Sequence, residues 1–337
     1  MKERNMTNTS INSLTISQLK NIDLAPRKFP LNRKHLFADF VELVSFFSSG
    51  PATLNDVLDR YRQEGIRVCP NEKIPNQEIG SDTFEDDDLN ELWMKEVFET
   101  CEFRQNVLQD AYPYNVNDGL ITLSPTLSDR QNLYLMLLLS SNLNYFPDFE
   151  AKLTSDFETV SFFSLKSFLP ESAIIKRLGA KSDYHGMTSE KIKTLGRDLN
   201  VFINEKVIDQ NVFGTKERGL DIIGWIPFRD KVPNMVVLYG QCACGKEWYK
   251  KQTETRRYET SYFPHFKHIP INTMFIPYAL VEDENSFFQQ DEIYCLLFER
   301  FRILEYLQTP TFFNELETKQ ILVACIKNIK EFYPFIS

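Results

Sequence analysis

Two short β-rich runs in the second half of the chain limit its fold more than any other feature of the sequence. Leu220–Phe228 and Met235–Gln241 are rich in branched and aromatic residues, and the residues between them are turn formers. This pattern predicts an antiparallel β-hairpin. If its turn is centred near Lys231, Asp221 and Gln241 lie opposite each other at the open end of the two strands, with Cβ atoms about 5 Å apart.

An acid and an amide oxygen at this end suit a hard divalent cation. Carboxylate and carbonyl oxygens are the ligands that Mg²⁺ prefers, and a lysine beside the metal stabilises a hydroxide or a phosphate oxygen. Lys246 follows soon after Gln241, and Gly245 allows the chain to turn back toward the open end. The hairpin therefore predicts a metal site at Asp221 and Gln241, with Lys246 beside it. The plainer alternatives are a strand-edge charge, a strand-end amide and a solvated lysine.

The order of these features resembles the PD-(D/E)XK nuclease superfamily, which has the restriction-endonuclease-like fold. Its elements run helix, strand with Asp, strand with an acid or amide followed by Lys, helix, strand. Gly219–Ile223 is similar to the Asp strand, and Tyr239–Gln241 is similar to the second strand of the Gln-bearing variants. The resemblance implies a phosphodiesterase that depends on Mg²⁺ or Mn²⁺ over residues 148–285. It also implies a mixed sheet flanked by helices, in the α+β or α/β class.

The lysine departs from the superfamily pattern. The pattern places Lys two residues after the acid or amide, where this chain has Ala243, and Lys246 lies five residues after Gln241. Lys250 is the alternative to Lys246. The catalytic lysine is therefore displaced from its usual position in this interpretation.

A glutamate on the helix before the strands completes the metal site in many members of the superfamily. The resemblance assigns this role to Glu158, because its predicted helix, Phe149–Leu169, also carries apolar side chains that would fix its position. Glu205 and Glu217 are the alternatives. The predicted catalytic set is thus Asp221, Gln241, Lys246 and Glu158, of which the acids and the amide bind the metal.

The segment after the second strand is basic and aromatic. From Lys246 to His268, cationic side chains are interleaved with aromatic ones, which is typical of a phosphate track with base stacking. The alternative is an amphipathic helix, predicted over Lys246–Arg257, whose aromatic side chains face the core. The predicted nucleic-acid-binding residues are Lys250, Lys251, Arg256, Arg257 and Lys267.

The charge is unevenly distributed and suggests the domain boundaries. The chain of 337 residues has 47 acidic and 38 basic side chains, and residues 1–150 alone hold 23 acidic and 14 basic ones, so they carry the whole net charge of −9. Polyanions are bound largely through Lys and Arg, so this part need not contact DNA. We expect it to dock on a protein partner, and the alternative is that it occupies the basic segment as a nucleic-acid mimic. The predicted organisation is a polar arm (1–33), an acidic all-helical domain (34–147), the nuclease core (148–285) and C-terminal helices packing on the core (286–337).

The location of the protein is predicted from what its sequence lacks. No apolar run approaches the roughly 20 residues that span a bilayer, and the polar N-terminus has no apolar signal segment. The six cysteines are scattered, as is typical of reduced thiols. We therefore expect a cytoplasmic protein with no membrane partner.

These observations together predict a Mg²⁺-dependent endonuclease that hydrolyses DNA phosphodiester bonds. Superfamily members with an additional helical domain look like restriction or anti-phage effectors, so the resemblance implies a role in prokaryotic defence. The alternative is a catalytically inactive subunit with the same fold, which binds DNA or a protein partner in a larger complex.

Overall fold

The computed structural model describes residues 34–48, 50–63, 83–179, 181–214, 218–266, 268–283, 286–287 and 290–323, which form a mixed α/β structure. The α-helices are α1 (Lys34–Phe47), α2 (Leu54–Gln63), α3 (Thr83–Leu108), α4 (Asp129–Ser140), α5 (Glu150–Phe168), α6 (Thr188–Asp198), α7 (Glu205–Asn211) and α8 (Arg300–Tyr306). A further helical segment covers 317–323. The strands are β1 (Ala52–Thr53), β2 (Tyr114–Asn117), β3 (Leu120–Leu123), β4 (Ile174–Arg177), β5 (Ile222–Trp225), β6 (Val237–Cys242), β7 (Ile271–Phe275), β8 (Val281–Asp283), β9 (Ser286–Phe287) and β10 (Leu296–Phe298). Within these ranges, no helix is long and apolar enough to cross a membrane.

The described residues divide into two compact units, and neither is continuous in sequence. The first unit contains the described residues of 34–138, 280–287 and 310–323, and the second contains those of 139–279 and 290–309. The predicted domains were continuous, and the last one was expected to pack on the nuclease core. Residues 310–323 belong instead to the first unit. The predicted polar arm of 1–33 lies outside the described residues.

The first unit contains a three-stranded antiparallel sheet in the order β1-β3-β2, so the prediction of an all-helical domain is wrong. β2 and β3 form a hairpin in which Asn117 pairs with Leu120 across a two-residue turn. Both turn residues, Asp118 and Gly119, have positive φ angles, of 50° and 72°. An Asp-Gly turn of this kind matches the twist of hairpin strands. The signal is present in the sequence, but an interpretation based on helical periodicity missed it.

A buried cluster of charged residues connects α1 and α3 inside the first unit. Arg104 of α3 donates through Nη1 to Asp39 Oδ1 at 2.8 Å and to Glu42 Oε1 at 2.7 Å. The hydroxyls of Tyr112 and Tyr134 also donate to Glu42, at 2.9 and 2.8 Å. All five side chains are buried. We refer to them as the Arg104 cluster.

The second unit is built on a mixed five-stranded sheet in the order β10-β7-β6-β5-β4. β5 is antiparallel to both β4 and β6, while β7 is parallel to both β6 and β10. The predicted mixed sheet flanked by helices is confirmed at this level. The edge strands β4 and β10 were not predicted, and β10 lies where C-terminal helices were expected.

Helices cover both faces of this sheet. Successive strand residues point to opposite faces, so neighbouring residues of β5 contact different helices. On one face, Leu165 and Leu169 from the end of α5 approach Gly224 so closely that a Cβ there would lie 2.8 Å from Leu169. On the other face, Ile223 and Tyr239 belong to a core that includes residues of α6 and α7. The two central strands, β5 and β6, are therefore buried along almost their whole length.

Candidate functional site

The β5–β6 hairpin has the predicted register. Ile222 pairs with Gly240, and every pair of this ladder is symmetric about residue 231. The next position places Asp221 opposite Gln241, and the Asp221 amide donates to the Gly240 carbonyl at 2.9 Å. Asp221 and Gln241 therefore meet at the open end of the hairpin, as the sequence predicted.

Asp221 is fixed at this end by both of its neighbouring strands. Its carboxylate oxygen Oδ2 accepts a hydrogen bond of 2.7 Å from the backbone amide of Cys242, the residue after Gln241. Its carbonyl accepts from the amides of Leu178 and Gly179, at 2.7 and 3.1 Å, directly after β4. The side chain is half-buried. The carboxylate is thus held beside the 241–242 peptide rather than turned away from it.

Gln241 is almost completely buried, with 4% of the residue exposed. Its amide nitrogen Nε2 donates to Glu254 Oε2 at 2.7 Å, while its amide oxygen Oε1 has no hydrogen-bond partner among the residues that the structure describes. A buried acceptor without a partner costs about 1–3 kcal/mol. A water molecule or a cation at Oε1 would remove this penalty.

Glu254 is a site residue that the sequence analysis missed. It lies 13 residues after Gln241, and no periodicity connects the two positions. Gly219 brings them together, because its φ of +87° is unfavourable for other residues and a Cβ there would lie 3.0 Å from Glu254 Cβ. A glycine in this place was the available signal, but its meaning depends on a contact that is distant in sequence.

Glu158 of α5 lies near the same end of the hairpin. The Glu158 carboxylate lies against Gly179, so closely that a Cβ at Gly179 would overlap it. The Gly179 amide in turn donates a hydrogen bond to the Asp221 carbonyl. Burial raises the pKa of the Cys242 thiol well above its ordinary value, and the charges of Asp221 and Glu158 raise it further. Cys244 shows the same effect, from burial, Glu158 and Asp221. The two carboxylates therefore act on the same pair of thiols.

Of the two alternatives to Glu158, Glu205 is the one that lies among the described residues. Glu205 is exposed at the first turn of α7. Glu217 lies outside the described residues. Glu158 is the predicted glutamate that the structure brings near Asp221.

The predicted catalytic lysine, Lys246, lies away from the position that the superfamily pattern gives to Lys. Ala243, at the position where the superfamily pattern has Lys, is buried, with 2% exposed. Lys246 is half-buried in the turn after β6. Lys250 is exposed, and its Nζ pairs with Glu247 Oε1 at 2.6 Å, which raises the pKa of Lys250. Lys250 is thus engaged within its own segment.

The charge of Lys251 acts on the thiol of Cys244, which follows the second strand of the hairpin. Although burial, Glu158 and Asp221 raise the pKa of Cys244, the charge of Lys251 opposes them. Lys251 is itself exposed. Lys251 is one of the predicted nucleic-acid-binding residues.

The basic segment is not the continuous helix predicted over Lys246–Arg257. Trp248–Lys251 form a 3₁₀-helix, turns follow, and Tyr258–Tyr262 form a π-helical turn. The side chain of Gln252 interrupts the segment, because its Nε2 donates to the Glu292 carbonyl at 2.8 Å. This distant contact outweighs the local preference for a helix.

The aromatic side chains of the segment face the core. Tyr258, Tyr262 and Phe263 are buried in the hydrophobic cluster of the second unit, and Trp248 is buried with 9% exposed. Base stacking is therefore wrong for these four residues, and they face the core as in the alternative interpretation, although the amphipathic helix of that interpretation is not formed.

The predicted cations are distributed differently. Lys250, Lys251 and Arg256 are exposed. Arg257 is half-buried and donates through Nε to the Glu254 carbonyl at 2.9 Å. Lys267 lies outside the described residues. Of the exposed cations, Lys250 is paired with Glu247, whereas Lys251 and Arg256 carry their charge at the surface of the segment.

In the part of the chain that the structure describes, no group of three or more His, Cys, Asp and Glu side chains is arranged to hold a metal ion. No family model matches the chain, and neither a curated protein nor a solved structure matches it significantly.

Proposed function

We propose that the protein is a metal-dependent nuclease whose site lies at the open end of the β5–β6 hairpin. The observation that carries the proposal is the register that places Asp221 opposite Gln241, whose buried amide oxygen has no hydrogen-bond partner among the described residues. Hard oxygen donors of these two kinds fit Mg²⁺ or Mn²⁺. Asp221 and Gln241 would hold the ion, with Glu158 as a further carboxylate nearby.

The order of elements supports the same proposal. Helix α5, the Asp strand β5, the Gln strand β6, a helical segment and the strand β7 occur in the order of the PD-(D/E)XK pattern, with β4, α6 and α7 as additions between α5 and the Asp strand. The proposed role in prokaryotic restriction or anti-phage defence rests on that resemblance, whereas the proposed cytoplasmic location rests on the sequence.

The chain's own residues would contribute binding and charge. The Cys242 amide orients the Asp221 carboxylate, and the exposed Lys250, Lys251 and Arg256 would contact DNA phosphates. Lys246 would stabilise negative charge at the phosphate under attack. A bound divalent cation supplies an activated water and neutralises charge on the phosphate.

A cleavage assay with matched aspartate variants tests the proposal. Purified protein is incubated with supercoiled, linear duplex and single-stranded DNA, with Mg²⁺, Mn²⁺ or EDTA. We expect wild type to cut at least one form when metal is present, and Asp221→Ala to lose cleavage by about 100-fold or more, because its carboxylate binds the metal. The control is Asp230→Ala, since Asp230 lies exposed in the turn of the same hairpin. Equal cleavage by both variants would contradict the assignment.

A second function is favoured by one observation. The buried Ala243 at the usual lysine position fits a subunit that keeps the fold and has lost the reaction. Such a protein would bind DNA or a protein partner, the latter through the acidic first unit, without cutting DNA. DNA retention in a gel-shift assay, with no cleavage under any metal condition, would support this alternative over the nuclease.

A further inference from the structure

We propose that Glu254 is a positioning residue that fixes the orientation of the Gln241 amide, so that the two side chains together replace an acidic metal ligand. This inference rests on the proposed metal-dependent function. It assigns a role to a residue outside the catalytic set predicted from the sequence.

The first argument concerns the two ends of an amide group. A glutamine can present either its oxygen or its NH₂ group in a given direction, and its partners decide which. An ionised carboxylate only accepts hydrogen bonds, so Glu254 binds the NH₂ end of Gln241, at 2.7 Å. In the flipped orientation, the amide oxygen would face the Glu254 carboxylate and be repelled. The oxygen Oε1 is therefore directed away from Glu254.

Burial makes this selection effective. Gln241 is 4% exposed, so bulk water is not available to satisfy whichever end lacks a partner. Oε1 is the end left without one. A fixed, desolvated acceptor is prepared for a ligand, whereas a mobile amide at the surface would have to be ordered on binding.

The backbone around Glu254 is arranged to allow the contact. Gly219 has a φ of +87°, and a Cβ there would lie 3.0 Å from both Glu254 Cβ and Oε2. Arg257 Nε donates to the Glu254 carbonyl at 2.9 Å, which anchors the turn. Glu254 thus reaches the hairpin from a segment that is itself held in place.

The charge of Glu254 also changes the chemistry of the amide. A hydrogen bond from the amide to a carboxylate is charge-assisted and polarises its donor, so electron density at Oε1 increases. A cation at Oε1 would then interact directly with the neutral Gln241 amide and, through that amide, with the charge of the Glu254 carboxylate. This arrangement accounts for an amide at a position where many superfamily members carry an acid.

Two conservative variants separate orientation from charge. Glu254→Gln keeps an oxygen that accepts from Gln241 but removes the charge, while Glu254→Asp keeps the charge but is too short for the contact. Glu247→Gln and Glu247→Asp are the controls, because Glu247 is an exposed glutamate of the same segment. Mn²⁺ binding without DNA is measured by calorimetry. The side-chain NH₂ signals of Gln241 are followed by NMR and assigned through Gln241→Glu.

We expect Glu254→Asp to weaken Mn²⁺ binding by about 10–100-fold, the effect typical of groups that orient metal ligands. Glu254→Gln should weaken binding less, and the Glu247 controls should match wild type. The Gln241 NH₂ group should be protected from solvent exchange in wild type and Glu254→Gln, and exchange faster in Glu254→Asp.

Unchanged Mn²⁺ affinity in Glu254→Asp, or weaker binding by Glu254→Gln than by Glu254→Asp, would overturn the positioning role. Failure of the proposed function gives a different result. In that case Asp221→Ala binds Mn²⁺ as tightly as wild type, and the inference falls with the metal site.

Discussion

Replacement of Arg104 by methionine tests how strongly the first unit depends on its buried charges. The guanidinium is fully buried and bonds two carboxylates, those of Asp39 and Glu42, at 2.8 and 2.7 Å. Methionine keeps much of the side-chain volume, so the cavity that it leaves is small. The main effect is the loss of the cation that both carboxylates bind.

The size of the stability loss in Arg104→Met follows from the desolvation of the buried charges. Burial alone would lower the pKa of Arg104, but Glu42 and its neighbours raise it well above the ordinary value, so the charged form is stabilised in the fold. Because the folded pKa is raised, this stabilisation is fully present at neutral pH. Removing one partner of a buried pair costs about 3–5 kcal/mol. Tyr112 and Tyr134 still donate to Glu42 in the variant. We therefore expect the free energy of opening to fall by about 3 kcal/mol, which raises the opening equilibrium constant roughly 100-fold.

Cys101 provides a local assay for this loss. It lies one turn before Arg104 on α3, is fully buried, and has a thiol pKa raised well above its ordinary value by burial. Reaction with a thiol reagent in native buffer therefore requires opening of the structure around α3. Mass spectrometry of the Cys101 peptide gives the rate, and Arg104→Met should increase it by about 100-fold if closing is faster than labelling.

Lys95→Met on the same helix is the matched control. Lys95 pairs with Glu91 at 2.8 Å, but their side chains are 57% and 48% exposed, so the pair contributes about 0.3–0.5 kcal/mol. Its variant should label Cys101 nearly as slowly as wild type. If Arg104→Met labels within about five-fold of Lys95→Met, a difference of about 1 kcal/mol, the desolvation argument is refuted.

Three further predictions concern the second unit. Gly219→Ala should lower the unfolding free energy of the second unit by about 1–3 kcal/mol in urea denaturation, because Gly219 has a positive φ and its Cβ would contact neighbouring side chains. Gly245→Ala is the control and should change this free energy by less than about 1 kcal/mol, because the space around Gly245 is open. Gly196→Ala should cost about 1–3 kcal/mol in the same assay, because its Cβ would lie 2.6 Å from a core side chain, and an unchanged midpoint would show that the core can move aside. Partial burial raises the pKa of Asp183, but hydrogen bonds from Arg177 lower it below its ordinary value overall. The pair therefore stabilises the fold at pH values above the unfolded pKa of Asp183, and this stability is lost as pH falls through the lowered folded pKa. Asp183→Asn should lower the unfolding free energy by less than about 1 kcal/mol at pH 7 and by less still in acid. A difference from wild type that grows in acid would contradict this sign.

The part of the site that could be predicted from the sequence is the part that depends on local symmetry. The opposition of Asp221 and Gln241 follows from two strands and one turn, and the β5–β6 register confirms it. Helix α5, with Glu158, was predicted because its apolar side chains keep a helical spacing over a long segment. Each of these features is encoded within a few tens of residues.

The features that escaped prediction depend on contacts between distant residues. Glu254 reaches Gln241 from an irregular turn, and Gln252 holds that turn through a residue 40 positions away. β4 and β10 are short edge strands of four and three residues, so they carry too little periodicity to be recognised. The hairpin of the first unit is a different case, because its Asp-Gly turn is a local signal that was overlooked.

The two strands of the central hairpin are each paired on their outer sides, β5 with β4 and β6 with β7. Their alignment therefore does not depend on the length of the loop that joins them, where Phe228 and Val232 are exposed. Extra residues in that loop would cost only about 0.6 kcal/mol for each doubling of its length. A fluorescent reporter or an affinity peptide can thus be inserted there, at the far end of the strands that present Asp221 and Gln241, without altering the alignment of those two residues.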